Sequence, residues 1–385
     1  MNNACVTIVA AVVLVSIGCA PAAEDAPEQP TTKMARFKNP TASQVPELTT
    51  IFRAGTKGER EDAAVALGTI GTMECLQPIL EAISDADDYM RSYAMIGIGR
   101  GIGGHCSKRE FLEAVFPALV KLLDRDDSSV SGSAPELLLA IDAEKAFPIL
   151  ISPQFFSLEN SQLYYILRAL NGANRQIPHD ILLPLIDALK PLADKYPHDY
   201  QYSEALVCYG QNPDKRAEQL IRSELASANK EVREGAGKAL AIYHGVKAPY
   251  GFVCEIIEKN GFDSLTGPQK HYYAVSNYDT QVRNGGHSQY FINSYGDSWT
   301  FARSGLKAIG ANERAGILEE AAKVFGVDGP SQDRMTRIDQ LGRLPTKRNK
   351  AFENLDERFY DSAEDLDVLL PLYAIENRSH FKAAQ

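Results

Sequence analysis

Asn284-Gly285-Gly286-His287, followed by Gln289 and Asn293, is the group of residues in this chain whose types and spacing come nearest to chemistry. Asn-Gly-Gly reads as a tight turn that needs unusual φ. Gln289 and Asn293 are four residues apart, so on a helix their carboxamides share a face, with Tyr290 and Phe291 as bulky apolar anchors beside them. Two readings fit. The amides could satisfy backbone groups and fix the turn, with His287 as a surface or packing residue at a helix start. Alternatively, Asn284, His287, Gln289 and Asn293 could form a hydrogen-bonding patch that holds a small ligand. Acid–base or metal chemistry would need two or three titratable groups to converge, and His271, His287, His380, Asp279 and Asp297 are the ones this region offers. No full set of nucleophile, base and orienting group is visible, so no catalytic residue, metal site or cofactor is assigned.

Other motifs carry less. Gly99-Arg100-Gly101-Ile102-Gly103-Gly104 satisfies the dinucleotide pattern G-x-G-x-x-G, but that loop must follow a strand and open a helix. Here it closes an amphipathic helix, where glycines that accept positive φ are common. Cys75, Cys106, Cys208 and Cys254 have no CxxC spacing, so a zinc site is not indicated. Cys75 and Cys106 lie about one repeat apart and could pair; four separate buried thiols is the simpler expectation. Lys347-Arg348-Asn349-Lys350 reads as a solvated loop, and Trp299, the single tryptophan, as a core residue.

Helices must position these groups. Arg60 to Gly68, Arg91 to Gly99 and Arg233 to Ala241 align without gaps, each with Ala three residues after Arg and Leu or Ile four after that Ala. Those spacings put small and large apolar residues on one helical face. An amphipathic stretch precedes each: Val45 to Phe52, Cys75 to Ile83 and Ala217 to Leu225. Acidic turns such as Ser84-Asp85-Ala86-Asp87-Asp88 separate the two and can cap the second helix. Three further pairs lie between: Phe111 to Leu123 with Ser128 to Ile141, Lys145 to Leu150 with Glu159 to Leu170, and Ile181 to Leu192 with Tyr200 to Tyr209. Six helix pairs at intervals of roughly 30 to 40 residues suit a helical solenoid. The Asp-rich turn followed by Val-Arg or Met-Arg resembles HEAT repeats. That resemblance implies an extended concave surface over residues 44–250, of the kind that binds protein.

The stretch from Asn284 to Gly296 is similar to the hallmark of the DMP-nineteen-like family, a bacterial domain family of unknown function named for a DNA-mimic protein. Asn284, Gly285, Gly286, Gln289, Tyr290, Phe291, Asn293 and Gly296 match its pattern, and His287 stands where Phe is usual. Ala302 to Ile309 with Gly310-Ala311, then Leu318, Ala321, Ala322 and Phe325, continue the order. Leu355-Asp356-Glu357-Arg358-Phe359-Tyr360 resembles its Leu-Asp-x-x-Phe-Tyr element, and Asp365-Leu366 leads into a last helix near Asn377. The resemblance spans about Lys270 to Asn377 and implies a mainly α-helical domain, placed here at 251–385. The DNA-mimic activity belongs to one acidic member. Residues 251–385 hold 19 acidic against 16 basic residues, far from the dense acidic array that would imitate a duplex, so the mimic role is not carried over.

The N-terminus reads as an address. Ala4 to Gly18 is almost wholly apolar, too short to span a bilayer but right for a signal peptide over 1–18. Val15-Ser16-Ile17-Gly18-Cys19 resembles a bacterial lipoprotein box, which implies lipidation at Cys19 and a polar, proline-rich tether over 19–43. Ala20-Pro21-Ala22 offers a rival cleavage site that would release a secreted or periplasmic protein.

Composition bounds the rest. The chain of 385 residues is 44% hydrophobic and 23% charged, a globular composition long enough for two parts. A net charge of −10 argues against a nucleic-acid binder, which would carry a basic face. The sequence therefore predicts an all-α protein: a HEAT-like helical solenoid followed by a smaller, mainly helical domain. It is expected to act as a non-enzymatic scaffold of the cell envelope that binds a protein partner and meets the membrane through a lipid on Cys19. The alternative is a small-ligand receptor or enzyme at the Asn-Gly-Gly motif.

Overall fold

The computed structural model describes residues 37, 39–125, 133–344 and 346–382, with 346–349 and 351 as backbone only. The expected signal peptide, Cys19 and most of the expected tether lie outside the described residues. Among the described residues there is no strand, and eighteen α-helices are joined by short loops and 3-10 turns, so the protein is all-α. No helix among them is long and apolar enough to cross a membrane. The chain divides into two compact units, 1–208 and 209–385.

In the first unit the helices are α1 (Val45–Ala54), α2 (Lys57–Ile70), α3 (Leu76–Ile83), α4 (Asp88–Gly103), α5 (Arg109–Leu122), α6 (Ala134–Leu150), α7 (Leu163–Gly172), α8 (His179–Leu189) and α9 (His198–Tyr209). Each helix expected up to 209 has a counterpart among the described residues, the one expected from Ser128 being described from Ala134 onward. α6 is interrupted at Asp142, whose φ of −155° and ψ of 93° are not helical. That break separates the expected helix ending at Ile141 from the one starting at Lys145.

The apolar spacing is realised as burial. Ala63 and Leu67 on α2, and Ala94 and Ile98 on α4, are fully buried. Asp87 caps α4 by accepting from the Tyr89 amide, as its acidic turn predicts. The glycines do something other than expected. Gly103 is still helical and Gly104, which ends α4, has a φ of −82°; the left-handed residue that closes the helix is His105, with a φ of 54°. Close approach is the use of Gly101, whose Cβ would lie 2.8 Å from the Thr69 oxygen, and of Gly68 and Gly97 outside the pattern, whose Cβ atoms would lie 2.8 Å from the Ile98 nitrogen and 2.5 Å from the Val65 oxygen. α2 and α4 touch backbone to backbone there, and of the G-x-G-x-x-G glycines Gly101 is the one that this packing requires.

The cysteines depart from four buried thiols. All four are free; Cys75 and Cys208 are buried, Cys254 is half-buried and Cys106 is exposed.

The second unit contains α10 (Lys215–Glu224), α11 (Lys230–Tyr243), α12 (Pro249–Asn260), α13 (Gly267–Ile292), α14 (Trp299–Ala308), α15 (Asn312–Lys323), α16 (Arg334–Gly342), α17 (Thr346–Asp361) and α18 (Leu366–Glu376). The last repeat-like pair, α10 with α11, therefore lies in the same compact unit as the C-terminal helices, and α11 packs against α18. α13 is the central element, touched by α12, α14, α16, α17 and α18. Tyr278, Tyr290, Phe291, Phe352 and Phe359 make the aromatic heart of its core. Trp299 is half-buried at the edge, its indole N–H donating to the Pro330 oxygen at 3.1 Å. The Lys347–Lys350 run lies in the first turns of α17, a helix where a loop was expected.

One local device recurs. Asn229 caps α11, and Arg233 four residues on turns its guanidinium back to donate to the Ser227 and Ala228 oxygens at 2.8 and 3.1 Å. Arg91 does the same on α4, reaching the Asp85 oxygen behind the Asp87 cap. A charged donor thus holds the carbonyls of the preceding turn, which no helix hydrogen bond would satisfy.

Candidate functional site

α13 starts from a capping box in which the Gln269 carboxamide oxygen accepts from the Thr266 amide at 2.8 Å. Its helical course is broken at Gly285 and Gly286. Gly286 has a φ of 72°, the left-handed region that only glycine adopts freely. The break leaves two sets of orphaned backbone groups inside one element: carbonyls ending the segment 267–284, and amides opening the segment 287–292.

Both sets are served from α17. The Tyr360 hydroxyl lies 3.0 Å from the Val282 oxygen and 2.9 Å from the Arg283 oxygen, so it caps the first segment. Asp356 Oδ1 accepts from the His287 amide at 2.8 Å and from His287 Nδ1 at 2.5 Å, so it caps the second. The Leu-Asp-x-x-Phe-Tyr element is therefore the clamp on the Asn-Gly-Gly break. Its Asp and Tyr are four residues apart, on one helical face, with Phe359 packed between them in the core.

His287 itself is fully buried, so of the two readings at the helix start the structure selects packing. Its ring stacks parallel on Phe352 at 6.4 Å and meets Phe359 edge-on at 6.1 Å. Its Nε2 is 2.9 Å from the Tyr278 hydroxyl. Burial pushes the Tyr278 phenol pKa far up, so that hydroxyl keeps its proton. With Nδ1–H donating to Asp356, Nε2 is left facing the Tyr278 hydroxyl as its partner. The imidazole fills an aromatic slot and meets a polar partner on each nitrogen. A Tyr–His–Asp array of this kind can hold a proton, but Tyr278 and His287 are both completely shut off from solvent. Neither ring offers an atom to an outside substrate, and only the Asp356 carboxylate is partly exposed.

The amides form a second small network. Gln281 Oε1 accepts from Gln289 Nε2 at 3.2 Å and from Asn293 Nδ2 at 2.5 Å, bridging the two segments of α13 side chain to side chain. Asn284 stays outside this network and is exposed. The structure thus splits the expected patch: Gln289 and Asn293 meet at Gln281, His287 faces the core, and Asn284 faces solvent. His271 is also apart, with Nδ1 3.1 Å from the Tyr373 hydroxyl and Nε2 3.2 Å from Ser304 Oγ. Among the described residues no three His, Cys, Asp or Glu side chains gather as a metal site would require.

The far end of α13 is closed by Arg337, which is fully buried. Its Nε donates to the Phe291 oxygen at 2.6 Å, Nη2 to the Asn293 oxygen at 2.9 Å and to Asp297 Oδ1 at 2.7 Å, and Nη1 to the Ser331 oxygen at 2.6 Å. Its backward reach to the turn before the Asp333 cap repeats the device of Arg91 and Arg233. Gly296 has no Cβ because one would lie 2.9 Å from Arg337 Nε. Helix α13 accordingly ends at Ile292, and a 3-10 turn over Ser294–Ser298 follows.

Tyr278, Gln281 and Arg337 carry no signal in the Asn-Gly-Gly pattern. Arg337 has one elsewhere: Asp333 and Arg337 repeat the cap-plus-four spacing of Asn229 with Arg233 and of Asp87 with Arg91.

Residues 263–378 match the model of the DMP19-like protein family, so the chain carries a DMP19-like domain there. The match covers the whole of α13 through α18 and includes both clamp residues and Arg337. No curated protein matches the chain. Among solved structures, an engineered protein is 15% identical, with 88% of this chain and 100% of that chain covered, at a TM-score of 0.30.

Proposed function

We propose that this protein is a non-enzymatic interaction scaffold of the cell envelope. In this reading residues 44–250 form a HEAT-like array that binds a protein partner, and the C-terminal domain caps the array or holds a second contact. A lipid on Cys19 tethers it to the membrane. The supporting observation is a cluster of surface tyrosines in the first unit. Tyr164 meets Tyr165 at 5.1 Å and Tyr200 at 6.0 Å, and Tyr200 meets Tyr196 at 6.0 Å, all edge to face. Tyr196 is 79% exposed and Tyr200 38%. Tyrosine gives large, rigid contact area with few rotors and is enriched at protein interfaces, where it often dominates the binding energy. The closed environment of His287 and the dispersal of Asn284 from the other amides weigh against the enzyme reading.

The test is capture from detergent-solubilised membranes with the tagged full-length chain and with a Tyr164→Ser, Tyr196→Ser, Tyr200→Ser variant, followed by mass spectrometry. A partner retained by the parent and lost by the variant supports the scaffold. No retained protein, or one held equally by both, counts against it. Replacing Cys19 by Ser should move the protein from the membrane to the soluble fraction; unchanged fractionation would remove the lipid anchor from the reading.

A further inference from the structure

A cavity of about 310 Å³ lies in the second unit, lined by the start of α11, the end of the first segment of α13, the start of α15 and the connection from α17 to α18. Its charged lining is Lys230, Arg233, Arg283 and Arg314 against Glu364 and Asp365, so positive charge is in excess by two.

The acceptors in this lining are already engaged. Glu364 Oε1 and Oε2 take the Glu313 and Arg314 amides, each at 2.8 Å, at the start of α15. Asp365 Oδ2 holds Arg233 Nε at 2.7 Å, and its Oδ1 takes the Asp367 amide at 3.1 Å. Donors remain over. Arg314 is only 4% exposed, lies 4.0 Å from the centre of the Phe359 ring and donates through Nε to the Glu364 oxygen at 3.0 Å. Its Nη1 is buried and has no hydrogen-bond partner. A buried cationic donor without an acceptor is among the costliest things a fold can keep. Lys230 and Arg283 sit nearer to solvent, with Asp367 Oδ2 3.6 and 3.5 Å away. One acceptor nearby is also unpartnered: Asp279 Oδ1, whose other oxygen holds Arg283 at 2.8 Å. Asp279 does not line the cavity.

We propose that this cavity binds the phosphate group of a small molecule, with Arg314 Nη1 as its most buried donor and Lys230 and Arg283 as its outer ones. A phosphate monoester carries close to two negative charges near neutral pH, which matches the excess in the lining, and guanidinium groups fit its oxygens as paired donors. Phe359 and Tyr360 give the organic remainder an aromatic wall. The site adjoins the Asn-Gly-Gly break, sharing Phe359 and Tyr360 with its clamp, and is independent of the scaffold reading.

Titration calorimetry on the full chain tests it, with inorganic phosphate, glycerol 3-phosphate and acetate at equal ionic strength. Saturable binding of both phosphates is expected, at least about fivefold weaker in Lys230→Gln and in Arg283→Gln with helical circular dichroism unchanged. Both positions are at least about a third exposed, so these variants are expected to fold even if Arg314→Gln does not. Tighter binding of the ester would place its organic part against the aromatic wall; equal binding would make free phosphate sufficient. Absence of saturable binding at about 10 mM phosphate would mean that water shared with Asp279 satisfies Arg314, and would overturn the site. Binding that survives both substitutions, or acetate that binds as well as phosphate, would overturn it too.

Discussion

Asp356 binds His287 twice through one carboxylate oxygen, at the main-chain amide and at ring Nδ1, across 69 residues of sequence. One carboxylate therefore both caps a helix segment and fixes the tautomer of a buried imidazole. Asp356→Asn replaces the anion with a neutral amide and halves the acceptor set. Loss of a charge-assisted bond and exposure of an orphaned donor in the core should cost about 2–3 kcal/mol, read by urea unfolding. Tyr360→Phe, which removes only the hydroxyl over the Val282 and Arg283 carbonyls, should cost about 1 kcal/mol. The double variant should fall short of the sum, because both residues serve the same break. Strict additivity would separate the two caps.

The two glycines of the break should differ. A Cβ on Gly286 would lie 2.2 Å from Asp356 Oδ2, and its φ of 72° disfavours any side chain. Gly286→Ala should cost about 2–4 kcal/mol from strain and loss of the clamp. A Cβ on Gly285 meets only Gln289 side-chain atoms, and its φ of −172° is ordinary extended backbone. Gly285→Ala should cost clearly less. An equal loss at both, in the same unfolding measurement, would show that the clamp is not what makes the break special.

Arg337 should be the least replaceable side chain of the domain. Arg337→Leu leaves the Phe291 and Ser331 oxygens without the guanidinium, the Asn293 oxygen with only the Gly296 amide and Asp297 without its cation, and should cost about 3 kcal/mol or more. Arg337→Lys keeps the charge but cannot fork to them, and should recover only part. Full recovery with Lys would mean that charge, and not the fork, closes α13.

Burial lowers the His271 pKa below its ordinary 6.5. The folded state therefore keeps the ring neutral where the unfolded chain already takes a proton. The stability tied to this residue is complete above pH 6.5 and declines as pH falls below that value. Unfolding free energies measured at about pH 7.5 and 5.5 should fall more in the parent than in His271→Gln, whose carboxamide does not titrate. An identical drop in both would assign the acid sensitivity to the carboxylates.

Much of this was legible beforehand because it depends on local pattern. Ala63 and Leu67, Ala94 and Ile98, and Ala236 and Leu240 lie buried on one helical face each, as their spacing predicts. Even the interruption at Asp142 fell between two expected helices. What pattern could not reach is partnership across distance. Asn284 and Gln289 look alike as amides five residues apart, yet one is exposed and the other bonds Gln281. His287 reads equally as a surface or a packing residue at a helix start until Phe352 and Phe359 close around it. The glycines of α4 suggested a helix end, and the neighbouring backbone of α2 gave the actual reason. Arg314 gave no sign at all, since its unpartnered nitrogen exists only in the folded arrangement.

The broken helix sets an order of events during synthesis. The segment 287–292 is capped at its start by Asp356 and at its end by Arg337, so both stops emerge well after the segment they hold. Loops of this length are entropically slow to close, and until they do the segment has no stable ends. A chain released before Asp356 would carry a helix fragment with bare amides and an empty aromatic slot. The fold of this domain thus registers whether its own C-terminal part has been made, and an incomplete product stays open to proteolysis.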